Sequence, residues 1–191
     1  MLNSDLSVYT HEQLSRYAHE FLATSTSLSL EYIVDRTQQD VDRWHTLRNK
    51  GWSAMTEDER REWLGETHNT PNAAKGMYTH NDMNRVELLV KTLSKKLRDL
   101  GYTLPELSTK TTWSMGDEVS EADMVRYLKN VDILRNSIAT PHGTPVTPSI
   151  TSKWNYVSAN DIEKILMNID DVTTKLTKTW YYTGELYAGE V

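Results

Sequence analysis

"YTHNDMNRVELLVKTLSKKL", residues 78–97, combines a helix-start signal with a regular row of apolar side chains. Thr79 stands where the hydroxyl of an N-cap residue can accept a hydrogen bond from the amide of Asp82, while the Asp82 carboxylate bonds back to the cap amide. Tyr78 and Met83 flank this capping box at the spacing of a hydrophobic staple. The apolar row alternates spacings of three and four residues: Met83, Val86, Val90, Leu93, Leu97 and Leu100. The stretch predicts a long helix that packs against other helices.

The same start signal recurs along the chain. A hydroxyl residue is followed three positions later by an acid or amide, then by an apolar and a basic residue, at Thr10 with Gln13, Thr37 with Asp40, Ser120 with Asp123, and Ser158 with Asp161. We interpret these residues as helix caps and not as parts of a chemical site. Substituting Asp82 or Ser120 by Ala is then expected to cost about 1 kcal/mol of stability each, without abolishing a specific chemistry.

Two further long helices are predicted behind the signals at Ser120 and Ser158. Their apolar rows have the same alternation: Met124, Tyr127, Val131, Leu134 and Ile138 in one, and Ile162, Ile165, Ile169, Val172 and Leu176 in the other. Rows of this heptad type pack helices at shallow angles. We therefore predict a mainly α fold. It is an elongated bundle of three long heptad-patterned helices with shorter N-terminal helices and a little extended structure in the connections and the C-terminal arm.

The pattern divides the chain into four parts. These are an N-terminal amphipathic helix (1–23), a linker (24–34), the helical bundle (35–179) and a C-terminal aromatic arm (180–191).

Shorter elements are expected before the long helices. One helix starts after Thr37 and ends near Gly51. A second, with Thr56 and Glu59 as its capping box, has Trp63 and Leu64 on its apolar side. Residues 65–76, "GETHNTPNAAKG", are predicted to be a loop. The connections 101–118 and 139–157 are long enough to run back along a helix, so the sequence leaves a parallel and an antiparallel order of the long helices open.

Composition and motifs argue against several functional classes. The 191 residues contain no cysteine, which excludes disulfides, thiolate metal sites and cysteine nucleophiles. The six histidines form no HExxH motif, and no phosphate-binding or dinucleotide-binding glycine pattern is present. We expect no enzyme activity, no metal and no cofactor. The net charge of −6 argues against nucleic acid as a partner. No apolar run approaches the ~20 residues of a membrane span, and the N-terminus does not resemble a signal peptide.

Several segments resemble, in their order, a small protein or module from the tail and baseplate gene regions of phages and prophages of Gram-positive bacteria. The segments are "DRTQQDVDRW" (35–44), "YTHNDMNRVELLVKTLSKKL" (78–97), "EADMVRYLKNVDILR" (121–135), "SANDIEKILMNID" (158–170) and "WYYTGELYAGE" (180–190). The resemblance implies a structural role in the virion, with assembly in the host cytoplasm. It transfers no catalytic residue.

Two segments outside the bundle are the expected partner-binding sites. The N-terminal helix has an apolar stripe that an isolated helix must cover, and the C-terminal arm is rich in tyrosine. The residues concerned are Leu14, Tyr17, Phe21, Leu22, Tyr181 and Tyr187. Other virion proteins and further copies of the chain are the expected partners. The alternative is a receptor-binding component that stacks a host-surface saccharide on Trp113, Trp154, Trp180, Tyr181 and Tyr187.

Overall fold

The chain is mainly α-helical in a computed structural model that describes residues 30–67, 70–149 and 154–178. Within these ranges six α-helices follow one another: α1 (Gln38–Lys50), α2 (Glu57–Trp63), α3 (Ala73–Gly76), α4 (His80–Asp99), α5 (Glu121–Ser137) and α6 (Tyr156–Lys178). A 3₁₀ turn, Trp52–Ala54, lies between α1 and α2. No strand occurs within the described ranges. The predicted N-terminal helix, with Thr10, and the predicted aromatic arm lie outside these residues.

Capping boxes start four of the helices in the described ranges, as the sequence predicts. Thr37 with Asp40 starts α1, Thr56 with Glu59 starts α2, and Ser120 with Asp123 starts α5. At α4 the amide of Thr79 donates to the Asp82 carboxylate at 2.7 Å, and the Thr79 hydroxyl donates to the same oxygen. These cap assignments are confirmed.

The cap assigned to α6 is wrong. This helix begins at Tyr156, two residues before Ser158, and the side chain of Asn155 accepts the amide hydrogen of Ser158 at 3.0 Å. Asn is as good an N-cap as Ser, so the earlier of the two candidates takes the position. Ser158 is therefore buried in the first turn, and Asp161 lies in the second turn instead of closing a box.

Two predictions for the shorter elements are also wrong. Residues 65–76 are not a plain loop, because Asn72 accepts hydrogen bonds from the amides of Ala74 and Lys75 and so caps the one-turn helix α3. Leu64 is 60% exposed and does not share the packed side of Trp63. It follows the last residue of α2, where the chain turns away from the helix direction.

Most of the predicted apolar rows lie in the core of the bundle, together with Leu89, Leu128 and Leu166, which those rows do not include. The fully or nearly buried members are Met83, Val86, Val90, Leu93 and Leu97 from α4, Tyr127, Val131, Leu134 and Ile138 from α5 and its C-cap, and Ile162, Ile165 and Ile169 from α6. A second, smaller cluster joins α1 to α3 through Leu47, Met55 and Ala73, with Trp44 and Trp63 packed against it. The three long helices thus pack together, and the short helices form an attached layer.

The three long helices run parallel to one another. Arg85 contacts Glu163 and Lys96 contacts Asp170, so α4 and α6 advance in the same direction. The connection after α4 runs back along that helix.

Hydrogen bonds show the direction of this connection. The Pro105 carbonyl accepts from Arg98 near the end of α4, and the backbone of Trp113, further along the chain, bonds Asn84 near the start of α4. The connection after α5 also runs backwards, with Pro145 bonded to Arg135 and Thr147 to Asp132. The contacts therefore resolve the helix order that the sequence leaves open.

Candidate functional site

Four charged side chains form a buried ion cluster between the segment before α1 and the helices α4 and α6. We define the ion cluster as Arg36, Asp82, Arg85 and Glu163. Arg36 bonds Asp82 and Glu163, each at 2.9 Å, and Arg85 bonds the same two carboxylates at 2.7 and 2.8 Å. The side chain of Glu163 is 0% exposed and that of Arg36 is 2% exposed. Two cations and two carboxylates balance, so the burial of each charge is compensated.

The ion cluster joins distant parts of the chain. Its members come from the segment before α1, from α4 and from α6, and Glu163 also accepts the amide hydrogen of Ile33 at 2.7 Å. Ile33 lies in the predicted linker 24–34, but here it is bonded to the bundle. With both carboxylates already bonded to guanidinium groups, the cluster is suited to hold segments together and not to transfer protons.

Two buried carboxylates, that of Asp40 at the start of α1 and that of Glu62 inside α2, have partners that the sequence does not reveal. One oxygen of Asp40 accepts from Thr37 in the capping box, while the other accepts the amide hydrogen of Asn72 at 2.6 Å. Glu62 likewise accepts from Arg43 and from the amide of Ala73. Each carboxylate therefore ties its helix to the start of α3. Local sequence does not predict these hydrogen bonds, because the partners lie 11 to 32 positions away.

Asp82 is expected to make stability depend on pH. Burial alone raises the pKa of Asp82, but the hydrogen bond from the Thr79 amide and the charges of Arg36 and Arg85 outweigh it, so this pKa lies below its usual value. A lowered pKa stabilises the fold above about pH 3.9, and this stabilisation is lost as the pH falls from there through the folded-state pKa. Asp82→Asn should cost ~2 kcal/mol at pH 7 and flatten the acid side of the stability curve. Urea unfolding between pH 2 and pH 7 measures both effects.

Asp123→Asn is the matched control for that experiment. Asp123 closes a capping box like that of Asp82, but none of the four members of the ion cluster bonds it, and its box is exposed. We expect a smaller loss at pH 7 from Asp123→Asn than from Asp82→Asn. Equal losses and parallel pH curves for the two variants would mean that the capping box alone accounts for Asp82.

An aromatic groove lies beside the ion cluster, between α1, α3 and the start of α6. We define the aromatic groove by its ring-bearing residues Trp44, Tyr78, Trp154 and Tyr156. Its volume is about 390 Å³. Arg36, Gln38, Lys75 and Asn155 are the charged and amide-bearing residues in its lining, and Val41, Gly76, Met77 and Ala159 complete it. Because Arg36 belongs to both features, the ion cluster supports one wall of the groove.

Two rings of the aromatic groove, those of Tyr78 and Trp154, are held in place by contacts with each other and with neighbouring residues. Tyr78 and Trp154 meet edge to face with their centroids 5.3 Å apart, and the Arg36 guanidinium lies 5.5 Å from the Tyr78 centroid. The Tyr78 hydroxyl shares a hydrogen bond with that of the buried Tyr127. Burial raises the pKa of both phenols well above the usual value, so both stay neutral. Trp154 remains 37% exposed and presents ring surface to the solvent.

Of the five residues of the saccharide platform predicted from the sequence, Trp113 and Trp154 lie in the described part of the chain, and they do not line the same groove. Trp113 is only 4% exposed, its backbone exchanges hydrogen bonds with Asn84, and the Lys110 ammonium lies 3.6 Å from its ring centroid. Trp113 is therefore a packing residue and is separate from the aromatic groove that Trp154 lines. Trp180, Tyr181 and Tyr187 lie outside the described residues, as do the partner-binding residues Leu14, Tyr17, Phe21 and Leu22.

A second, wider groove of about 820 Å³ runs along the outer face of α5. We call it the α5 groove and define it by Ala122, Val125 and Ile133, which form its apolar floor. Charged residues lie around this floor: Glu106 and Glu121, and Arg126 and Lys129. Val125 is 47% exposed. The α5 groove thus combines an apolar centre with a charged edge, which is the usual anatomy of a protein–protein contact.

Residues 30–67, 70–149 and 154–178 show neither a metal-binding group of side chains nor a membrane-spanning helix. These residues contain no group of three histidine or acidic side chains that could hold a metal ion. Among the helices in the same part of the chain, none has the length and apolar character needed to cross a bilayer.

Comparison with known proteins gives no match to any family model, to any curated protein or to any solved structure.

Proposed function

We propose that the protein is a structural or assembly component of a phage virion, associated with the tail or baseplate, and that it acts through protein–protein contacts. The resemblance of residues 35–191 to a tail-region module supports the setting. The single observation that carries the mode of action is the α5 groove, an exposed apolar floor on a helix whose other side is fully packed. The proposed site of action is the virion, after assembly in the host cytoplasm.

The α5 groove is suited to a partner because its support is rigid. Its floor residues alternate with Tyr127, Val131 and Leu134, which are buried in the core. At its edge, Arg126 bonds the Ser108 carbonyl at 2.7 Å and the buried Glu87 at 2.6 Å, and Asn130 bonds the same carbonyl. A surface held in this way loses little conformational entropy when a partner binds.

Residues outside the described ranges complete the proposal. The stripe Leu14, Tyr17, Phe21 and Leu22, together with Tyr181 and Tyr187, is proposed to contact neighbouring subunits or other virion proteins. We also propose homo-oligomers, because further copies of the chain can supply the neighbouring subunits that these residues contact. We also propose that the bundle is elongated. Helix α6, with 23 residues, spans about 35 Å and offers a long side surface.

The proposal is tested by incorporation into particles. Phage particles purified from the bacterium that carries the gene should contain the protein. Val125→Glu should lower its amount per particle about tenfold, because a charge replaces an apolar side chain at the centre of the contact. Quantitative immunoblotting of gradient-purified particles measures the ratio.

Leu64→Glu is the control for Val125→Glu. Leu64 is also an exposed apolar residue, but it lies outside the α5 groove. If Leu64→Glu is incorporated normally and both variants melt as the unchanged protein does, the lower incorporation of Val125→Glu is due to the α5 groove. Purified particles without the protein would refute the structural role, and normal incorporation of Val125→Glu would refute the assignment of the contact to the α5 groove.

A further inference from the structure

We infer that the aromatic groove binds an uncharged saccharide. The inference goes beyond the assembly role, since it concerns a different surface and a different class of ligand. It rests on the rings that line the groove, on the compensation of its charges, on its amide groups and on its size.

The rings provide the stacking surface that a saccharide needs. The C–H faces of a sugar ring are apolar and pack on flat aromatic rings, while its hydroxyls require hydrogen bonds at the edge. Trp154 is the most accessible ring of the groove whose surface can serve in this way, and Tyr78 fixes its position by the edge-to-face contact. Because the Tyr78 hydroxyl is bonded to Tyr127, the Tyr78 ring cannot turn away from Trp154 without breaking that bond.

The charges of the groove are compensated before any ligand arrives. Among the lining residues within ranges 30–67, 70–149 and 154–178, only Arg36 and Lys75 carry a formal charge. Arg36 is bonded to Asp82 and Glu163, and Lys75 is paired with Asp35. A phosphate or an acidic peptide would have to displace these carboxylates, so it gains little from the two cations. The groove therefore favours an uncharged ligand.

Two amide side chains supply the complementary hydrogen-bonding groups. Gln38 donates its Nε2 hydrogen to Asp42, and within the described ranges no other group bonds its carbonyl oxygen. Asn155 accepts from Ser158 through Oδ1, and within those ranges its Nδ2 group has no partner. One acceptor and one donor thus line the same groove, and a sugar hydroxyl can pair with either. The volume of about 390 Å³ lies in the range of small-ligand sites, about 300–1,000 Å³.

The test uses the full chain and a panel of neutral tetrasaccharides of glucose, galactose, N-acetylglucosamine and rhamnose. Titration calorimetry and tryptophan emission report binding. At least one member of the panel should bind, and Trp154→Ala should raise its Kd about tenfold or more, because the stacking surface is lost. Trp154→Phe keeps a flat ring and should recover part of the affinity. This rescue separates loss of stacking from loss of fold.

Trp52→Ala is the matched control. Trp52 is 50% exposed but lies outside the aromatic groove, so its substitution should change Kd by no more than about twofold. Absence of binding by every tetrasaccharide would overturn the inference. Equal losses of affinity in Trp154→Ala and Trp52→Ala would also overturn it. Displacement of the bound sugar by a peptide of unrelated sequence would overturn it as well. Incorporation of Trp154→Ala into particles is expected to be normal, which keeps this test independent of the assembly role.

Discussion

Glu163→Gln is expected to lower the free energy of unfolding by about 3–5 kcal/mol, the range found when one partner of a buried ion pair is removed. Glu163 is fully buried and accepts hydrogen bonds from Arg36, Arg85 and the amide of Ile33. The substitution keeps the size of the side chain but leaves two guanidinium groups facing the single carboxylate of Asp82. The cost is therefore that of an uncompensated buried charge, and not that of a cavity.

Urea unfolding of the purified protein at pH 7 measures this loss, with Asp171→Asn as the control. Asp171 lies on the same helix and has an ion pair of its own, with Lys175, but its side chain is 52% exposed. An exposed pair contributes less than about 1 kcal/mol, so the control should unfold nearly as the unchanged protein does. If both substitutions destabilised the protein equally, the ion cluster would not have the structural role assigned to it.

Gly76→Ala is expected to cost about 3 kcal/mol, the upper part of the range for overpacking. A Cβ atom on residue 76 would lie 2.2 Å from the carbonyl oxygen of Asp40 and 2.8 Å from the backbone nitrogen of Val41. Both are main-chain atoms of α1, so a change of rotamer cannot relieve the clash. Either α1 or α3 must shift, and a shift would strain the bond between Asp40 and the Asn72 amide. Thermal and urea unfolding measure the effect.

Gly116→Ala is the control for the steric argument. A Cβ atom there meets no atom within 4 Å, so the substitution should be neutral or stabilising by up to about 1 kcal/mol through the unfolded chain. A stability of Gly76→Ala equal to that of Gly116→Ala would contradict the close approach of α3 to α1.

The sequence predicts well those features that depend on residues three or four positions apart. The capping boxes at Thr37, Thr56 and Ser120 are such features, because the hydroxyl and the carboxylate of each box bond each other's backbone within one turn. The apolar rows belong to the same class, since their spacing alone defines the buried side of a helix. The mainly α fold and most of the core residues follow from these two signals.

Local patterns mislead where two local solutions compete or where a distant group supports one of them. Asn155 and Ser158 are both good caps, and the spacing to Asp161 favours the wrong one. At residues 65–76 the glycines and Pro71 indicate a loop, but Asp40 and Glu62 bond the backbone at Asn72 and Ala73 and stabilise one helical turn. The helix propensity of this segment does not take these two distant carboxylates into account.

The amino-acid pattern specifies where the helices begin and which side of each is buried, because both depend on hydrogen bonds and contacts within two turns. The parallel order of α4, α5 and α6, the ion cluster and the aromatic groove depend instead on residues far apart in the chain. Ile33 and Glu163, for example, are separated by 130 positions. Such pairs leave no periodic trace in the sequence. They form only when the back-running connections bring the helix starts together at one end of the bundle, where burial strengthens each ionic contact.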